Sequence, residues 1–324
     1  MRSSPWPTVA LILCGIVAPI AASAQERDWS KIEITTIHVA GSVYMLSGAG
    51  GNIGVSAGDD GVFLIDDQFA PLSDKVKAAV AAISPRPIRF LINTHWHGDH
   101  TGGNENFGKA GVVIVAQDNV RTRMAVEQVN ELSKKVTPAS PAVALPILTF
   151  AESVTLHLNG DTARVIHVPP AHTDGDSYVA FESANVVHTG DLFFNGGYPV
   201  IDVSAGGGVS GMIAAADRLL QAVSPDAKLI PGHGPLGTPA DLRAFRDMLT
   251  TVRERVLPLV KAGKSAEEVI AAAPLADLDA KWGKAFVKAD SFLRAVHMSL
   301  TRELGMVPRV PPAATPAPAA TPKS

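Results

Sequence analysis

Apolar residues recur along this chain with two different periods, and the places where the period changes divide it into elements. Ile32 to Val39, Val43 to Leu46, Ile53 to Ser56 and Val62 to Ile65 alternate or run apolar between glycine-rich turns, which predicts an antiparallel β-meander. Leu72 to Ile83 carries helical spacing and stops at Ser84-Pro85, because proline cannot continue a helix and restricts the residue before it. Two short apolar strands follow, Ile88 to Ile92 and Val112 to Val115, and then a helix over Gln117 to Ser133. Pro138, Pro141 and Pro146 predict a connecting loop over Lys134 to Thr149. A second strand set comes at Val154 to Leu158, Ala163 to Val168, Tyr178 to Phe181 and Val186 to Thr189, followed by a helix over Val209 to Val223 and a strand at Lys228 to Ile230. Helices at Pro239 to Ala262, Ser265 to Ala272 and Ala280 to Glu303 close the pattern, the middle one opened by the capping box Ser265-Ala266-Glu267-Glu268. Strands then helices, twice over, predict a sandwich of two sheets with helices outside.

Both ends of the chain fall outside this pattern. Val9 to Ala18 is an apolar run preceded by Arg2 and followed by Pro19 and Ala22-Ser23-Ala24, the layout of a secretory signal peptide cleaved after Ala24. The run is too short and wrongly flanked for a membrane span. Residues 1–24 are therefore expected to be a signal peptide, 25–306 one large domain, and 307–324, rich in Pro and Ala, a disordered tail. The mature protein is expected in the periplasm or outside the cell. The single cysteine among 324 residues is Cys14, so after cleavage neither a disulfide nor a thiolate ligand is expected. The net charge is −3 and no basic stripe is interleaved with aromatics, which argues against a nucleic-acid partner. With no apolar run left to hold a membrane, a small molecule is the expected partner.

Candidate chemistry is concentrated in Thr94-His95-Trp96-His97-Gly98-Asp99-His100, which packs three of the chain's 10 histidines and an aspartate behind the Ile88 to Ile92 strand. Loops leaving buried strands are where α/β folds place their reactive groups. In extended or tightly turned backbone His95 and His97, two residues apart, face one side and can grip one ion. Asp99 and His100 sit a turn further on and can reach a second ion. A cluster this dense is a metal site.

This pattern resembles the signature of the metallo-β-lactamase superfamily, and further pieces stand downstream in that family's order. They are His172 in Pro169-Pro170-Ala171-His172-Thr173-Asp174-Gly175, Asp191 in His188-Thr189-Gly190-Asp191, and His233 in Pro231-Gly232-His233-Gly234. The resemblance, over Val43 to Pro235, implies a four-layer αββα metallo-β-lactamase-like sandwich for residues 25–306. It implies two zinc ions per chain, with His95, His97 and His172 on the first, Asp99, His100 and His233 on the second, and Asp191 bridging or capping. It also implies that zinc lowers the pKa of a bridging water, and that the hydroxide attacks an amide or ester carbonyl. Asp99 would orient that hydroxide and pass its proton to the leaving group. Aspartate at position 191 departs from the periplasmic β-lactamases that use cysteine there, and matches glyoxalase II-like and lactonase-like members. Those cysteine-bearing enzymes keep a lysine three residues further on, where this chain has Phe194, so weak or promiscuous β-lactam hydrolysis is expected.

Trp96, Phe194 and Tyr198, together with Phe193, neighbour these positions and are candidates for an apolar substrate wall, with packing as the other reading. Asp66, at the end of Val62-Phe63-Leu64-Ile65, fits an acceptor for a ligand imidazole N–H and equally a turn residue beside Asp67. Gly48-Ala49-Gly50-Gly51-Asn52 reads as a hairpin turn or a mobile flap; no helix follows it, so it is not a phosphate loop. His38, His157, His167, His188 and His297 lie outside the motif and read as structural. The expected function is a periplasmic dinuclear zinc hydrolase acting on a strained amide, ester or lactone. Beside it stand a thioesterase resembling glyoxalase II, for which no compact Lys/Arg cluster is evident, and a mono-iron oxidoreductase resembling the persulfide dioxygenases. A non-catalytic metal-binding protein is the remaining alternative.

Overall fold

A computed structural model describes residues 27–307. The expected signal peptide, with Cys14 and Ala24, and residues 308–324 of the expected tail lie outside the described residues. Residues 27–31 belong to a separate unit and carry one 3₁₀ turn, Trp29–Lys31; the second unit begins at Ile32.

The chain first builds the meander β1 (Thr35–Ala40), β2 (Val43–Ser47), β3 (Ile53–Gly58) and β4 (Gly61–Ile65), each strand antiparallel to the one before. Helix α1 (Ser73–Ile83) carries it to β5 (Ile88–Asn93), which pairs parallel to β4. Short helices α2 (Gly98–Thr101) and α3 (Asn104–Lys109) lead to β6 (Val113–Gln117), parallel to β5. After α4 (Asp118–Met124) comes a small hairpin, β7 (Gln128–Val129) and β8 (Val136–Thr137), and then β9 (Leu148–Phe150), the last strand of a seven-stranded sheet. The second sheet holds β10 (Ser153–Leu158), β11 (Asp161–His167), β12 (Ser177–Phe181) and β13 (Val186–Phe194) as an antiparallel run. Crossover through α5 (Val209–Ala222) adds β14 (Lys228–His233) parallel to β13. Helices α6 (Pro239–Lys261), α7 (Ala266–Ala271), α8 (Asp279–Trp282) and α9 (Ala289–Glu303) follow.

Alternation along the strands sorts the apolar side chains into three layers of core. Met45, Phe63, Ile65 and Ile92 meet Val165, Val179, Phe181 and Ile230 between the sheets. Their strand neighbours Leu46, Val62, Leu64 and Leu91 point the other way, onto Val76 and Val80 of α1 and Phe107 of α3. On the far side Leu192, Leu229 and Phe193 pack against Met212, Phe245, Val252 and Val296 of α5, α6 and α9. Strand β4, and β5 from Leu91 onward, are buried on both faces, which is why Val62 to Ile65 and Leu91-Ile92 read as continuous hydrophobic runs. The fold is the αββα sandwich expected from the sequence.

Three elements differ from expectation. The helix expected over Gln117 to Ser133 ends at Met124, where Gln128 Nε2 donates to the Arg123 carbonyl at 3.0 Å and Ser140 N to the Met124 carbonyl at 2.8 Å; beyond it Asn130 closes a turn with its side-chain oxygen on the amides of Leu132 (3.1 Å) and Ser133 (2.8 Å), and β7 pairs with β8. The loop expected over Lys134 to Thr149 contains β8 and the start of β9, an edge strand added parallel to β6. The helix expected over Ala280 to Glu303 is two, α8 and α9, interrupted after Trp282: Gly283 ends the first, Trp282 is buried in the core and Phe286 stands exposed between them.

Candidate metal centre

Strand ends deliver the cluster. Strand β5 runs into Thr94 to His100, β13 contains Asp191, β14 ends on His233, and the loop after β11 carries His172. Ligand atoms of His95, His97, His172 and Asp191 form one group and those of Asp99, His100 and His233 a second, each group within 4.8 Å. Asp191 stands between the two. Its Oδ2 lies 3.3 Å from His172 Nε2 and 3.4 Å from His233 Nε2, while Oδ1 lies 3.1 Å from His100 Nε2. Asp99 Oδ2 is 3.3 Å from His233 Nε2 and 3.7 Å from His100 Nε2. The structure thus brings together all seven residues singled out in the sequence.

The outer nitrogens decide what this cluster can do. His100 Nδ1 lies 2.7 Å from Asp66 Oδ2, an acceptor, so it carries the ring proton. Thr94 Oγ1 donates to the same Asp66 oxygen at 2.7 Å and therefore accepts from His95 Nδ1 at 3.0 Å. His172 Nδ1 donates to the Val200 carbonyl at 2.8 Å, and His97 Nε2 to Asp202 Oδ2 at 2.9 Å. With the rings neutral, four lone pairs, on His95 Nε2, His97 Nδ1, His100 Nε2 and His172 Nε2, aim inward at two carboxylates. His97 Nδ1 and His172 Nε2 are 2.9 Å apart, and the buried His95 Nε2 has no hydrogen-bond partner. Such an arrangement repels itself unless positive charge lies inside it. Imidazole and carboxylate donors with carboxylate or carbonyl groups behind them suit zinc and its first-row neighbours, so these residues fit a pair of divalent ions.

In the metal-free chain protons supply part of that charge. Burial would lower the His100 and His233 imidazoles, but Asp191 and Asp99 outweigh it; His100 is held well above its ordinary range and His233 is pushed up to about 9. Burial likewise opposes the raised His97, which Asp202 secures. Burial pushes His95 down, and His172 down to about 4. Burial alone would raise Asp191, yet the imidazoles of His233, His100 and His95 hold it well below the usual carboxylate range.

Of the two readings open for Asp66, the geometry has it serve the ligand imidazole while also shaping the turn. Its Oδ1 accepts from Thr94 N at 2.8 Å, and its backbone has φ +63°, an uncommon conformation for a side chain other than glycine. Asp202 was not legible in the sequence: it stands 105 residues from His97 with no spacing to connect them. The segment Gly48 to Asn52 is a pinned turn, not a free flap. Gly51 N donates to Asp99 O at 3.1 Å, Asn52 N to Gly232 O at 2.7 Å, and a Cβ at Gly51 would stand 2.2 Å from His100 Cε1.

The apolar wall needs correcting. Trp96 lines a cavity of about 290 Å³ together with Phe69, His97, Asp99 and the β7–β8 hairpin. Phe194 does not face open space: it is 2% exposed, stacked on His233 at 4.9 Å and tilted against His172 at 6.1 Å, because strand alternation turns it beneath the imidazoles. Tyr198 is fully buried, stacked on Phe292 at 4.8 Å with its hydroxyl donating to Asp279 at 2.8 Å, so it is a core residue of the α8–α9 side. A larger cavity of about 440 Å³, lined by Gly207, Ser299 and Arg302, holds none of the seven residues. Chemistry therefore singles out the smaller one.

Known proteins resemble this chain in sequence and in fold. Hydroxyacylglutathione hydrolase GloC of Haemophilus influenzae is 26% identical over 152 residues, 47% of this chain and 71% of that protein. The 2,4-dinitroanisole O-demethylase subunit alpha of Nocardioides is 25% identical over 182 residues, 56% of this chain and only 52% of that protein. Among solved structures, a metallo-beta-lactamase from Pontibacter korlensis superposes with a TM-score of 0.54 at 22% identity, covering 68% of this chain and 99% of that one. The inverting sec-alkylsulfatase Pisa1 from Pseudomonas superposes at 0.62 and 19% identity, covering 85% of this chain and 51% of that one. The family model of the metallo-beta-lactamase superfamily matches residues 47–233, more than half of the chain and all seven clustered residues, and the chain belongs to that superfamily.

Proposed function

We propose that this chain is an exported dinuclear zinc hydrolase that uses water to cleave the C(=O)–X bond of a strained amide, ester or lactone. One observation carries the proposal: four imidazole lone pairs converge on two carboxylates, an arrangement that calls for two cations side by side. Zinc held by His95, His97 and His172 and by Asp99, His100 and His233, with Asp191 shared, would polarise a substrate carbonyl and bring the pKa of water near neutrality. The chain's own residues do the rest. Asp66, Thr94, Asp202 and the Val200 carbonyl hold the rings in place, so little reorganisation accompanies the reaction. Asp99 lines the cavity and its side chain is 28% exposed, against 4% for Asp191. Its Oδ2 is therefore placed to take the proton of an attacking water and return it to the leaving group. Trp96 and Phe69 wall the same cavity, whose size suits a small molecule. Export rests on the apolar run Val9 to Ala18 and the Ala22-Ser23-Ala24 sequence after it.

A thioesterase acting through the same site is the second reading, favoured by the identity to a hydroxyacylglutathione hydrolase. Elemental analysis of protein purified without chelator, combined with a panel of β-lactams, lactones, thioesters and persulfides, separates the readings. Two zinc per chain and chelator-sensitive turnover of lactones or β-lactams are expected. Preference for thioesters moves the assignment to the second reading. One iron per chain with oxygen consumption on a persulfide defeats both.

A further inference from the structure

The cavity beside the candidate metal centre is bordered by an exposed lysine whose ammonium the described residues do not engage. Lys135 is the only lysine or arginine among its lining residues. Among the described residues its Nζ has no hydrogen-bond or ion-pair partner. Both acids of the lining are already engaged. Asp202 holds His97 and accepts from Ser204 N and Ala205 N, while Asp99 faces His233 at 3.3 Å. Lys135, exposed on the β7–β8 hairpin, thus lines the same cavity as His97 and Asp99 and has no counterion among the described residues.

Its mount is built rather than loose. Asn130 N donates to the Lys135 carbonyl at 2.9 Å, and Lys134 N returns to the Asn130 carbonyl at 2.8 Å. The tip of this turn is tied to the body of the protein: Glu131 N donates to Ser204 Oγ at 2.7 Å, and Arg302 Nη2 meets Glu131 Oε2 at 2.5 Å. Ser204 lies two residues from Asp202, the residue that holds His97. The hairpin and the metal centre therefore share a support, which holds the backbone of Lys135 in place relative to the reactive groups.

We infer that Lys135 anchors a carboxylate of the substrate, and that the preferred substrate is an acyl compound carrying a free carboxylate away from the scissile bond. This inference rests on the hydrolase reading above. The ammonium stands off the reacting bond and contacts ground state and transition state alike, so its effect falls on KM and not on kcat. A partly exposed pair of this kind is worth about fivefold in binding, about 1 kcal/mol.

The test uses the zinc-loaded full chain, its Lys135→Ala and Lys135→Arg variants, and two esters with the same leaving group: mono(4-nitrophenyl) succinate and 4-nitrophenyl butyrate. Succinate binding is measured in parallel by calorimetry. The expected result for Lys135→Ala is a KM about fivefold higher for the anionic ester, kcat within twofold, no change on the neutral ester, and succinate binding weakened by a similar factor. Lys135→Arg retains most of the preference. If Lys135→Ala shifts both esters alike or neither, or leaves succinate binding unchanged, the anchor is overturned while metal-dependent turnover keeps the hydrolase reading. If neither ester is turned over but Lys135→Ala still weakens succinate binding, the anchor stands and the hydrolase reading falls. If neither ester is turned over and succinate binds both proteins equally, both are overturned.

Discussion

Asp66 and Asp202 do the same work from opposite sides of the cluster: each takes the outer N–H of one imidazole and thereby turns the inner lone pair toward the centre. Asp66→Asn replaces an acceptor oxygen by an amide that must point a hydrogen or a weaker carbonyl at His100 and Thr94. We expect zinc affinity at the Asp99, His100 and His233 group to fall about 10- to 100-fold, read by competition with a chromogenic chelator. Asp202→Ala is expected to do the same to the His97 group. Equal loss at both groups in either variant contradicts this division. Phe194 and Tyr198 give the opposite kind of expectation. Phe194→Lys buries an ammonium between His233 and His172, so the melting temperature drops and KM for carboxylate-bearing β-lactams does not improve selectively. Tyr198→Phe removes one hydrogen bond to Asp279 and is expected to lower stability by about 1 kcal/mol in urea titration while leaving turnover intact.

At the level of elements, the turn between β2 and β3 matters through its backbone. Gly51 packs so closely on His100 that any Cβ collides with the ring, and the turn is hydrogen-bonded to both Asp99 and Gly232. Gly51→Ala is therefore expected to lose metal at the His100 group while the core sheets remain folded, seen as a fall in zinc content with an unchanged far-ultraviolet dichroism spectrum. An unchanged zinc content counts against the close fit. The β7–β8 hairpin shows why one element escaped the sequence. Its four strand residues carry no usable period, and the last carbonyls of the preceding helix are taken by Gln128 Nε2 at 3.0 Å and by Ser140 N at 2.8 Å, neither visible as a pattern.

At the scale of the whole molecule the cluster joins the two sheets, since the loop and short helix after β5 bring four of its residues and β13 and β14 bring two more. Chelation should therefore destabilise the fold as a whole. At zinc about a thousandfold above its dissociation constant the stabilisation is about 4 kcal/mol, and we expect removal to lower the melting temperature by about 5–15 °C. The pH dependence has a definite sign. In the metal-free chain His233 is raised from 6.5 to about 9 by Asp191 and Asp99 working against burial, so its contribution to stability is fully present below about pH 6.5 and is lost as pH rises through about 9. A divalent ion taken up at His233 would have to displace that proton. Metal uptake at pH 8 in weak buffer should release protons, and the stability gap between zinc-loaded and metal-free protein should widen from pH 6.5 to 9. Uptake without proton release contradicts the protonated cluster.

Local information alone was enough for the strand sets, most of the helices and the four clustered residues His95, His97, Asp99 and His100. Periods of 2 and 3.6, proline stops and the capping box Ser265 to Glu268 act over a few residues, and His95 to His100 are adjacent in the chain. His172, Asp191 and His233 were legible because the order of motifs matched a family pattern. Only the tertiary structure decided which side chains hold the outer nitrogens, that Phe194 lies beneath the imidazoles, that Tyr198 belongs to the core, and that Lys135 and His97 line one cavity. Each of these depends on contacts between residues far apart in the chain, such as Asp202 on His97 and Ser204 beneath Glu131. Such pairs form between loops at the ends of different strands, which meet only once both sheets have packed.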